Sequence, residues 1–350
     1  MSQVALAKQA TRAFNGNNYE YTDLTSNLMI IPNIWNLGEA LGIFGTDTTN
    51  QETMTLEEIK TGFGVINDQH RGQRHQVIHD PNRRMHAFAM PHFNLDASIT
   101  PRDIQGKRAF GVDALETLAA VRARKLETIR RSWAATHEKA IWHTVVTGTN
   151  YAPQGTCQYD WYTQFEQTRK VVDFEFTNAS TDIMVPSEVI FAHIQDNSQD
   201  GMVRDDVLAV CSPEFFAALI AHPSVKGLYM AYQQAGLNPL KDRLRAAGYD
   251  ARFRDFTFGN IHYLEYRGVG PDGQRYIPAN EAYFIPTGLG EDFVQVFGPA
   301  DHFDYINTQG QELYAFEYGD HRGQLIEIAT ESNFIHVMRR PQLIVRGTMS

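Results

Sequence analysis

The run "GVDALETLAAVRARKLETIRRSWAATHEKAIWHTVVTG", residues 111–148, constrains the fold more than any other stretch. Asp113 followed three residues later by Glu116 resembles a capping box, in which each side chain satisfies a main-chain amide left open at a helix start. Leu115, Leu118, Leu126, Ile129, Trp133 and Ile141 recur at spacings near three and four or their multiples. That periodicity gathers one apolar face along a helix, while Arg122, Arg124, Arg130 and Arg131 point elsewhere. The pattern ends near Gly148. A helix of about 30 residues spans about 45 Å, more than a compact domain usually needs. Such a helix serves as a spine.

Around it the period changes. "TMTLEEIKTGFGVI" and "RMHAFAMPHFNL" place apolar groups at every second position, which predicts a long two-stranded excursion before the spine. An isolated hairpin is marginally stable in water, so one this long has to lie against something. The first 20 or so residues, rich in Ala, Asn and Gln, read as an arm without a core. After the spine, "KVVDFEF" and "VLAVC" read as strands and "PSEVIFAHIQDN" as a short helix; Ser212-Pro213 has the cap and first-turn proline of a helix start. "IHYLEYRG", "RYIPANEAYFIPTG" and "FIHVMRRPQLIVRG" read as further strands. Helices and strands mix without a strict βα repeat, so the fold class is α+β.

With 350 residues, 43% hydrophobic and 21% charged, the chain has the composition of a folded protein of one or two domains. Two cysteines, Cys157 and Cys211, are too few and too far apart for a disulfide framework or a CxxC site, which makes a reducing compartment the default. "MSQVALAKQATRAFNGNN" lacks the basic and apolar regions of a secretory signal. "LMIIPNIWNLGEALGIF" (28–44) is broken by Pro32 and Glu39 and falls short of a bilayer span, so it reads as a buried or partner-facing segment. The net charge of −10 argues against a surface built wholly for nucleic acid. The charge is polarised: residues 60–142 carry 14 Lys and Arg against 8 Asp and Glu, and the remainder is strongly acidic. Copies of such a chain are complementary head to tail.

The densest chemistry lies at "DQHRGQRHQVIHDPNRRMHAFAMPH" (68–92), where His70, His75, His79, His86 and His92 interleave with Arg71, Arg74, Arg83 and Arg84. His75 and His79 have the spacing of a zinc-protease pair, yet position 76 is Gln and Pro81 opposes a helix, so no metal is assigned. "GVGPDG" (268–273) matches a dinucleotide fingerprint only formally; strand-like flanks make it a β-turn. "DNSQDGMVRDDV" has calcium-loop offsets but ends on Val207 where a bidentate Glu belongs, so it reads as a solvated loop. No nucleophile elbow or phosphate loop is present in the sequence, and neither catalytic residues nor cofactors are assigned.

"RMHAFAMPHFNLDASITPRDIQGKRAFGVDALETLAAV" resembles the major capsid protein E family of tailed double-stranded DNA phages. "LTSNLMIIPNIWNLGEALGIFG", "RKVVDFEF", "CSPEFFAALIAHPSVKGLY" and "ESNFIHVMRRPQLIVR" agree with it in order, so the resemblance covers nearly the whole chain. It implies the tailed-phage capsid fold: an N-terminal arm and entry segment (1–45), an extended hairpin loop over the adjacent subunit (46–94), a peripheral domain with the spine (95–185), an axial domain (186–328), and a C-terminal strand returning to the peripheral domain (329–350). The wording of 148–185 is looser than the family pattern. The implied function is a shell protein, not an enzyme, that assembles as hexamers and pentamers into an icosahedral capsid around phage DNA. Implied partners are other copies, scaffold, portal and decoration proteins, and DNA held without sequence preference. No membrane is involved, and assembly takes place in the host cytoplasm.

On that basis Trp35, Phe44, Phe88 and Phe93 are expected as apolar anchors on a neighbour, and Arg71, Arg74, Arg83 and Arg84 as partners for its acidic surface. Arg122, Arg124, Arg130 and Arg131 are expected to face packaged DNA. The alternatives are another virion component, such as a minor head or tail protein, and a metal-dependent enzyme using His70 to His92.

Overall fold

A computed structural model describes residues 21–23, 36–60, 82–105, 117–198, 206–235, 253–288 and 291–349. In chain order its elements are β1 (Tyr21–Asp23), α1 (Leu37–Ala40), β2 (Gly45–Thr48), β3 (Thr53–Lys60), β4 (Asn82–Ala89), β5 (His92–Ile99), α2 (Leu118–Thr147), α3 (Trp161–Gln164), β6 (Val171–Asp173), α4 (Met184–Asn197) and β7 (Val207–Cys211). There follow α5 (Pro213–Ala221), α6 (Pro223–Ala235), β8 (Asp255–Phe258), β9 (Ile261–Glu265), β10 (Glu281–Pro286), β11 (Phe293–Phe297), β12 (Tyr314–Gly319), β13 (Ile326–Met338) and β14 (Val345–Thr348).

The spine is α2, 30 residues long. Its start differs from the expected capping box: Thr117 is the cap, its side chain accepting the Ala120 N–H at 3.2 Å, and Asp113 and Glu116 lie outside the described residues. Its end is Gly148, at φ 81°, where a Cβ would come within 2.4 Å of the Tyr162 ring. Only glycine suits both the left-handed turn and that approach. Ile129, Trp133 and Ile141 are buried as the periodicity requires, whereas Leu118 is exposed.

Two sheets flank this helix. The first has the order β1-β12-β13-β11-β2, with β5 also paired to β13, and the long β13 ties its parts together. Trp133 reaches from α2 to donate its indole N–H to Thr330 of β13 at 2.9 Å. The second sheet has the order β6-β14-β10-β7-β9-β8, with every residue of β7 buried. Its aromatic core joins Phe174, Phe215, Phe216, Tyr263 and Phe284 to Ile190 and Ile194 of α4. Ser212 caps α5 by accepting the Phe215 N–H, and 270–273 forms the expected turn, closed by Gly273 N–H to Gly270 O at 3.0 Å.

Strand membership departs from the expected sequence ranges. β11 and β12 fall within 186–328, yet they pair with β13 in the first sheet, while β14, from the C-terminal stretch, joins β10 and β6 in the second. Alternation along a strand fixes its faces but not its partner, because pairing is decided by contacts far away in sequence. The calcium-like loop falls largely outside the described residues.

Candidate assembly surfaces

β3 and β4 form a two-stranded antiparallel arm, in register from Thr53↔Ala89 to Lys60↔Asn82. Alternation gives it two unlike faces. Met54, His86 and Phe88 turn inward, and Phe88 is only 2% exposed, edge-on to Tyr159 and Trp161 at centroid distances of 5.0 and 5.1 Å. The Ala89 N–H donates to the Tyr159 hydroxyl at 3.0 Å, and Arg84 pairs with Glu166 at 2.8 Å. On the outer face Met85 is 80% exposed and Arg83 reaches Glu57 at 3.4 Å. The foot of the arm is therefore fastened to the segment after the spine, and its outer face is open.

The entry segment is held differently. Glu138, on α2 and fully buried, accepts the main-chain N–H groups of Leu37 and Gly38 at 3.0 Å, the Trp142 indole N–H at 2.7 Å and the Tyr266 hydroxyl at 2.7 Å. Burial pushes its carboxyl above the usual range, and these donors oppose that shift. One side chain thus joins the entry segment, the spine and the end of β9. A Cβ on Gly38 would meet Ile141 at 2.8 Å, so a glycine is needed for that close approach.

Phe44 and Phe88, expected to anchor a neighbour, are buried within this chain instead. Phe44 lies edge-on to His336 at 4.9 Å and tilted on Phe293 at 6.0 Å. Phe93 is half-buried and stacks on Phe334 at 4.7 Å. Trp35, Arg71 and Arg74 lie outside the described residues, as do His70, His75 and His79. Among the described residues no group of three or more His, Cys, Asp or Glu is placed to hold a metal, and no helix is long and apolar enough to cross a membrane.

The architecture of an arm, a spine and two sheets has counterparts. The family model for phage major capsid protein E matches residues 20–349. The chain belongs to that family. As a capsid protein it is a structural component of a virion shell, and its curated relatives carry the same designation. The major capsid protein of Pseudomonas phage KPP10 is 52% identical over 95% of this chain and 97% of that protein. The major capsid protein of Salmonella phage Felix O1 is 29% identical over 92% and 94%. At the level of fold alone, the capsid of cyanophage P-SCSP1u aligns with TM-score 0.51 and 8% identity over 88% of this chain and 86% of that one. The capsid asymmetric unit of cyanophage A-1(L) aligns with TM-score 0.50 and 11% identity over 98% and 96%.

In this capsid protein the spine arginines do not form one uniform face. Arg122 turns onto the first sheet and pairs with Glu317 of β12, and Arg131 pairs with Glu127 one turn back along α2. Arg130 is half-buried and Arg124 is exposed. Arg122 and Arg131, both expected to face DNA, are thus already engaged by carboxylates of the same chain. Glu138 and the Tyr159–Trp161 platform were not singled out from sequence. The signal for the first was there: Glu138 lies three and four residues before Ile141 and Trp142, on the apolar side of the helix, and an acid placed there has to be matched by donors.

Proposed function

We propose that this capsid protein assembles as hexamers and pentamers into a closed icosahedral shell around double-stranded phage DNA, with the β3–β4 arm carrying contact to an adjacent copy. Its work is association, with no catalysis and no cofactor. The observation that carries the reading is the family match across residues 20–349, together with an arm fastened at one face and open at the other. A hairpin exposing Met85 gains by covering that face. Standard interfaces bury about 800 Å² per partner, and many modest contacts hold a shell while leaving errors correctable. Arg83 and Arg84 sit on opposite faces of β4, each beside a glutamate of its own chain, so they exchange rather than seek a carboxylate when a neighbour docks.

Scaffold, portal and decoration proteins complete the set of partners, assembly takes place in the host cytoplasm, and DNA contact is non-specific. Arg124 and Arg131 are the two spine arginines that are exposed, which suits that last role. Electron microscopy of the full chain, expressed with and without its neighbouring phage genes, tests the reading: closed shells of uniform size are expected, and persistent monomers in both cases would overturn it.

A further inference from the structure

Between the entry segment and the spine lies a cavity of about 350 Å³, walled by α1, β2, α2 and β11. Alternation and register build it. Phe44, Thr46 and Thr48 fall on one face of the chain through β2, and Gln295 and Phe297 of β11 are paired beside Thr46 and Thr48. Phe44, Phe297 and Ile141 of α2 give it an apolar wall. At Gly42 the wall is open, because no atom comes within 4 Å of the place a Cβ would take.

Its polar groups are unmatched at both ends. Glu39 on α1 and Glu312, just before β12, are exposed at the mouth, and neither side chain has an ion pair among the described residues. Partial burial and then the Glu39 charge push the Glu312 carboxyl above its usual range, so the two acids act on each other with no cation between them. At the inner end His137, only 6% exposed, faces the Gln295 amide through Nδ1 at 3.4 Å, and its Nε2 has no hydrogen-bond partner among the described residues. A buried nitrogen of that kind calls for a partner. The three residues are not grouped closely enough to hold a metal, so a bare metal ion does not fit. What fits two outer acids, an apolar wall and an inner ring nitrogen is an organic cation with an aliphatic body.

We propose that this cavity binds a small aliphatic diamine or polyamine, with one ammonium between Glu39 and Glu312, its methylenes along Phe44, Ile141 and Phe297, and a second amine on Nε2 of His137. Burial keeps the imidazole neutral, and a Gln295 amide turned to accept Nδ1–H leaves the Nε2 lone pair as the acceptor. A chain of net charge −10 also draws such cations towards it. The bound amine joins α1 to the segment before β12, a second tie on the entry segment beside the Glu138 clamp, and it stabilises the folded chain by mass action.

Calorimetric titration of putrescine into the unassembled full chain at physiological salt tests the site. Saturable binding of one amine per chain is expected, with a shift of the His137 imidazole resonance and slower proteolysis near residues 36–48. Glu39→Gln with Glu312→Gln, both at exposed positions, is expected to weaken binding about tenfold. An unchanged circular dichroism spectrum and melting curve of the amine-free variant establishes that it folds. Magnesium chloride at the same charge concentration is expected to leave the His137 resonance where it was. Wild-type affinity in the double variant, or a resonance that magnesium moves equally, would mean diffuse attraction to an acidic surface and would overturn the site. So would a wild-type His137 resonance that stays fixed at high putrescine, a result that needs no variant.

Discussion

The body of the molecule and its arm use opposite strategies with the same amino acids. In the second sheet β7 is buried at every position, and Phe284 packs between Phe174 and Tyr263 with no exposed surface, so each strand is stabilised by both of its faces. In the arm only one face of a two-stranded ribbon is covered, and the fastening is concentrated at Phe88, the Tyr159 hydroxyl and the Arg84–Glu166 pair. The body answers to its own core; the arm answers to whatever lies alongside it. A part that must later bind a neighbour cannot bury all of its apolar surface beforehand.

That contrast can be broken, most forcefully in the body. Phe284→Ala empties a fully buried site and is expected to cost about 4 kcal/mol in urea unfolding of the unassembled chain, lost as one cooperative transition. A separate low-urea phase would mean that the second sheet is not coupled to the rest. Glu138→Ala strands the N–H groups of Leu37 and Gly38, the Trp142 indole and the Tyr266 hydroxyl in the interior, for about 3 kcal/mol. It should also expose the entry segment to protease near residues 36–48; stability within error of wild type would remove the clamp from the account.

The body should also respond to acid. Burial holds His137 down at about 4 and His336 down at about 3, the second further depressed by the first. The folded state therefore binds fewer protons than the unfolded chain below about pH 6.5, so stability is full above that value and falls as pH drops towards the folded values. At pH 5.5 the two together cost about 2.5 kcal/mol relative to neutral pH. His336, with both ring nitrogens buried and without hydrogen bonds among the described residues, is expected to tolerate Phe, and His336→Phe should remove about half of that slope. An unaltered slope would assign the acid sensitivity to other groups.

In the arm, effects should be smaller and local. Phe88→Ala is expected to cost about 2 kcal/mol, less than the same truncation at Phe284, because the ribbon can leave its platform without unfolding the body. Hydrogen exchange should quicken at the Ala89 amide while β7 stays protected; equal quickening in both would erase the distinction between the regions. Arg84→Gln, which removes an exposed ion pair, should leave the unfolding midpoint unchanged and register only in exchange along β4.

Much of this was legible in the chain. Gly148 closes the spine, "VLAVC" is a buried strand and Ser212-Pro213 starts a helix, because each depends on neighbours a few residues away. The candidate contacts were less so. Phe88 and Met85 lie three residues apart in one alternating run, and the sequence marks both as apolar strand residues; only the platform formed by Tyr159 and Trp161, more than 70 residues on, decides that Phe88 is covered and Met85 is not. Arg122 likewise belongs to a basic helix face by periodicity, yet Glu317 on β12 claims it.

By itself, then, the sequence determined the local elements, the charge polarity and the family, since those follow from periodicity, caps and ordered motifs. The tertiary structure alone decided that β11 and β12 join β13, that β14 crosses to the second sheet, that Phe44 turns inward, and that Glu138 binds three parts of the chain together. Those outcomes depend on which distant residues meet. A side chain's free energy is set by the neighbours it finds there, and no window along the chain contains them.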